Sequence, residues 1–77
     1  KDQVEVDLVM ERGRDVWGVE VKAAATVTPS DGAGLRRLAD RCGRHFRGGV
    51  LLYGGTATVS LSVKGCLGVP LARLWDM

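Results

Sequence analysis

A chain of 77 residues holds one domain at most, with a core so small that stability is marginal unless something covers its open faces. Eleven Lys and Arg against nine Asp and Glu leave a net charge of +2, which neither demands nor excludes a nucleic-acid partner. Cys42 and Cys66 are too few for a disulfide framework and lie in no metal-ligand spacing, and no apolar run approaches the ~18 residues of a membrane span, so the sequence points to a soluble, cytoplasmic domain in a reducing compartment.

The chain opens in a strand pattern with no initiator Met. Residues 1–77 are therefore expected to be a single, partial domain from the C-terminal part of a larger protein. "VEVDLVME" (residues 4–11) and "DVWGVEVK" (residues 15–22) alternate apolar and polar positions around "RGR", the pattern of a β-hairpin. From Pro29 to about His45 the period changes. Leu35, Leu38, Ala39, Cys42 and Phe46 form one helical stripe with arginines on the other faces, and Thr28-Pro29-Ser30-Asp31 supplies an N-cap, a first-turn proline and an N3 acid. "GGVLLYGG" (48–55) reads as a buried strand and "TATVSLSV" (56–63) as an exposed or edge strand. "CLGV" (66–69) reads as a last short strand, and "PLARLW" (70–75) starts a terminal helix at its proline. His45, the single histidine, has no partner motif. No repeat, linker or Walker A pattern occurs.

Register decides what the hairpin presents. A one-residue slip would send half the apolar side chains to the wrong face, so Val6, Leu8 and Met10 must share a face with Trp17, Val19 and Val21. A two-residue Gly13-Arg14 loop then pairs Arg12 with Asp15, Met10 with Trp17, Leu8 with Val19 and Val6 with Val21. The same count sets Asp7 opposite Glu20 and Glu5 opposite Lys22 on the second face. Directly opposed Cβ atoms lie about 4.5–5.5 Å apart, where two carboxylates repel unless something positive sits between them. Asp7, Glu20 and the backbone carbonyl of Val21 are hard oxygen ligands suited to Mg²⁺ or Mn²⁺ with retained waters. Lys22, on the same face, is placed to orient a water or to stabilise charge developing on a phosphate. The competing reading is a solvated hairpin face with a Glu5–Lys22 cross-strand pair.

Asp7, twelve residues, then Glu20-Val21-Lys22 on a hairpin followed by a helix resembles the D…(D/E)-x-K motif of the PD-(D/E)XK nuclease-like superfamily. The wider run "EVDLVMERGRDVWGVEVKAAATVTPSDGAGLRRLADR", followed by "GGVLLYGG" and "GVPLARLW", is similar to the C-terminal restriction-nuclease-like domain behind the ATPase domain of many bacterial and archaeal AAA-type ATPases. The resemblance covers nearly the whole chain. It implies an α/β, restriction-endonuclease-like fold with an αβββαβ core: a mixed sheet with a β-hairpin and a central helix, here without the first helix and strand. It further implies Mg²⁺ held by Asp7 and Glu20, Lys22 beside the scissile phosphate, and hydrolysis of DNA in a protein that also carries an ATPase domain.

The alternative is a non-catalytic regulatory module of such an ATPase, binding protein or nucleic acid through the arginine-rich helix carrying Arg36, Arg37, Arg41, Arg44 and Arg47, with Arg36, Arg37 and Arg41 as the nucleic-acid-binding candidates. An apolar sheet face and an unpaired strand edge, left open without the missing helix and strand, lead to the expectation of a homodimer.

Overall fold

Alternation around a two-residue loop gives a hairpin. In the computed structural model, which describes residues 6–76 and the side chains of residues 6–73, β1 (Leu8–Arg12) and β2 (Asp15–Lys22) are antiparallel neighbours joined through Gly13-Arg14. The ladder pairs Arg12 with Asp15, Met10 with Trp17 and Leu8 with Val19, the register that the apolar pattern demands. Helix α1 (Ala33–Cys42) then carries the chain back to β3 (Phe46–Tyr53), which runs parallel to β2. A two-residue edge strand, β4 (Val59–Ser60), precedes β5 (Cys66–Pro70), which is parallel to β3 and antiparallel to β4. The five-stranded sheet has the order β1-β2-β3-β5-β4. Over the described residues the fold is thus α/β with a mixed sheet and one α-helix.

Side chains alternate between the two faces of a sheet, and the leucines of α1 lie against the face that carries Gly18, hence also Glu20 and Lys22. Two glycines cause this. A Cβ on Gly18 would lie 2.8 Å from Cδ2 of both Leu35 and Leu38, and one on Gly49, its neighbour on β3, would lie 2.9 Å from Leu35 Cδ2. The pair forms a trough in the sheet into which the leucines descend. Leu35 and Leu51 are fully buried there, joined by Tyr53, Leu61, Val63 and Cys66; each large aliphatic side chain contributes ~1.5–3 kcal/mol by leaving water. Burial also pushes the Cys66 thiol above its ordinary value.

The apolar face with Leu8, Met10 and Val21 does lie open, since α1 covers the other face, and Leu67 of β5 is exposed with them. The structure corrects several expectations. Val6 does not share that face, for its Cγ1 lies 3.3 Å from the Cβ position of Gly18 and it packs on the buried cluster. The helix begins at Ala33, not Pro29, because Gly32 sits in the left-handed region at φ 97° and cuts the Thr28–Asp31 turn off from α1. The strand expected over 56–63 shrinks to Val59–Ser60, since Leu61 and Val63 leave the ladder to enter the core. The last element, Leu71–Asp76, is a 3₁₀ helix. Among the described residues, no helix is long and apolar enough to cross a membrane.

The glycine trough makes a graded prediction. Gly18→Ala meets only side-chain ends and should cost about 1 kcal/mol, whereas Gly49→Ala meets the backbone oxygen of Gly18 and should cost about 3 kcal/mol, the upper range of overpacking. Urea denaturation of both variants gives the order directly.

Candidate functional site

Glu20 and Lys22 stand at the carboxyl end of β2, beside its parallel neighbour β3. In open α/β sheets, ligands gather at the carboxyl ends of strands. The three alanines that follow let the chain turn closely past the end of β3, where the Gly54 amide donates to the Ala24 carbonyl at 2.8 Å. The ammonium of Lys22 donates to Oδ2 of Asp31 at 2.8 Å, and the same oxygen accepts the Thr28 amide at 2.8 Å and the Thr28 hydroxyl at 3.4 Å. The Lys22 hydrogen bond, then the Thr28 amide, holds the Asp31 carboxyl below its ordinary value of 3.8. This ion pair ties the end of β2 to the turn that precedes α1.

Asp7 reaches the same place differently. The β1–β2 ladder ends at Leu8–Val19, one step short of Asp7 and Glu20, and Asp7 lies in a bend. Its Oδ2 accepts the Val21 amide at 2.7 Å, standing in for the carbonyl that a longer β1 would have offered. Asp7 therefore contacts the residue that separates Glu20 from Lys22 in the chain. The Oε1 atom of Glu20 is shut off from solvent. The pairing of Glu5 with Lys22 lies outside the described residues.

The donor set is chemically consistent with a hard divalent cation: the Asp7 and Glu20 carboxylates and the Val21 carbonyl are all oxygens. Among the described residues no group of three or more His, Cys, Asp or Glu is gathered. An ion held by two carboxylates would keep several waters, which suits Mg²⁺ better than metals that demand a full protein cage.

Arg36, Arg37 and Arg41 are exposed on α1, whose other side buries Leu35 and Leu38. The helix thus turns arginines outward while its leucines fill the trough. Asp31 enters the sequence pattern only as a helix-start acid. Its partner lies nine positions away across a loop, a separation that carries no spacing signal.

Because the folded-state pKa of Asp31 is lowered, its contribution is complete above the ordinary value of 3.8 and is lost as pH falls through the lower folded value. Asp31→Asn should therefore cost about 1 kcal/mol or less at neutral pH, the range of a partly exposed pair. The gap to wild type should close as pH falls below 3.8. Denaturation midpoints measured from neutral to strongly acidic pH test this.

A family model described as a domain of unknown function, DUF4143, matches residues 1–74. No curated protein and no solved structure matches the chain significantly. Spanning nearly all of its length, the match shows that this chain belongs to the DUF4143 family.

Proposed function

We propose that the chain is a metal-dependent nuclease-like domain of the PD-(D/E)XK type, acting on DNA phosphodiesters within an AAA-type ATPase. The observation that carries this reading is the contact of Asp7 with the Val21 amide at 2.7 Å, which brings a second carboxylate to the Glu20-Val21-Lys22 segment. Asp7, Glu20 and the Val21 carbonyl would hold Mg²⁺ or Mn²⁺. A divalent ion there supplies Lewis acidity and an activated water. Lys22 offers a positive charge to the phosphate, and Asp31 fixes the lysine's position through their 2.8 Å bond.

One observation favours a second reading. Lys22 is already committed to Asp31 and Asp7 to a backbone amide, so each has a structural role that a regulatory, non-catalytic module would retain. Melting with metal separates the two. At roughly a hundredfold excess of free ion over Kd, a site on the folded state adds about 2.7 kcal/mol, which for a domain of this size is on the order of 10–20 °C. Mg²⁺ or Mn²⁺ should produce that rise in the wild type and in Lys22→Ala, but not in Asp7→Asn, which keeps an oxygen for the Val21 amide while losing charge. Identical curves for wild type and Asp7→Asn would remove the metal site.

The exposed Leu8, Met10, Val21 and Leu67 support association through this sheet face as a homodimer, because a like face would take them out of water. A one-chain mass by light scattering at high concentration would contradict it.

A further inference from the structure

A second site stands at the opposite end of the sheet. Asp15 and Lys22 are the two ends of the eight-residue β2, about 23 Å apart at ~3.3 Å per residue. Near Asp15 a surface groove of about 580 Å³ is lined by Gly43, Arg44, Phe46, Arg47, Lys64 and Gly65. Three features of the chain build it. The β2–β3 register slips between Val16 and Trp17, pairing Val16 with Phe46 and Trp17 with Gly48, so that Arg47 is bulged out of the ladder. Bulges of this kind re-aim a side chain. Gly48 adopts φ 139°, and a Cβ there would lie 2.6 Å from the Gly65 carbonyl oxygen. With no such atom, the turn carrying Lys64 and Gly65 packs directly on β3. The Gly49 amide holds that turn by donating to the Gly65 carbonyl at 3.2 Å, which brings Lys64 to the groove.

Three full positive charges therefore border one concavity with an aromatic ring in its wall. Two neighbours oppose an anion. The Asp15 carboxylate lies 3.9 Å from Arg47 Nε, and the carbonyl end of α1 carries a partial negative charge. One carboxylate and a fractional charge do not cancel three cations drawn from two separate segments.

We propose that this groove binds a phosphate-bearing ligand, with Arg44, Arg47 and Lys64 as its contacts. The chemistry is shared by a free oligophosphate and by a nucleic-acid strand whose base would stack on Phe46. The site is independent of the metal reading, since it shares no residue with Asp7, Glu20 or Lys22.

The test titrates the whole chain with pyrophosphate and, separately, with a fluorescent single-stranded DNA of about ten nucleotides, within the span one small domain covers. Arg44→Ala and Lys64→Ala, on different segments, should each weaken binding about tenfold, and each should flatten the salt dependence of DNA binding by ~0.7 in log–log slope. Arg73→Ala, an exposed cation beyond the far end of β5, serves as the charge-matched comparison. Its affinity should change less than about threefold, because salt screens charges at that distance. DNA binding much tighter than pyrophosphate supports a strand as the natural source, and comparable affinities support a small phosphate compound. Absence of binding to both probes, or an equal loss in Arg73→Ala, overturns the proposal.

Discussion

Leu35 and Leu38 descend onto Gly18 and Gly49, and the other arrangements in the molecule depend on that contact. Side chains at those two positions would hold α1 away from the sheet. With hydrogens there instead, the helix lies directly on the β2–β3 pair, and Leu51, Tyr53 and Cys66 close around it. The chain between β2 and α1 must then turn within a short distance of the sheet's carboxyl end. That turn carries Asp31.

The charged groups at this end have structural roles whatever their chemistry. Asp7 ends the hairpin by satisfying the Val21 amide, and Asp31 fastens the helix entry to Lys22. These bonds also reduce the conformational freedom of the groups proposed to meet metal and phosphate. Preorganisation of this kind is what a catalytic site requires, because polar groups already in place need not reorganise during the reaction. The opposite end of the sheet is governed by a different device, a bulge that takes Arg47 out of the strict alternation of β3.

The hairpin is legible in the sequence because its two periods of alternation and the Gly13-Arg14 loop admit one register. β3 and β5 are legible as short apolar runs beside glycines. The face that receives the helix is not. Hydrophobic pattern counts apolar side chains, whereas Gly18 and Gly49 admit a helix by having none. Of the candidate site, Glu20 and Lys22 follow from strand alternation on one face. The bend at Asp7 and the Asp31 partner depend on tertiary contacts that no local spacing encodes.

Binding of a divalent cation at the carboxyl end of β2, on which the functional proposal rests, is tested most directly by paramagnetic broadening of amide NMR signals on addition of Mn²⁺. The strongest broadening is predicted at Asp7, Val21 and Lys22, with Gly65, at the far end of the sheet, affected least. Broadening centred on Asp15 or Asp40, or weak and even across all carboxylates, would contradict it.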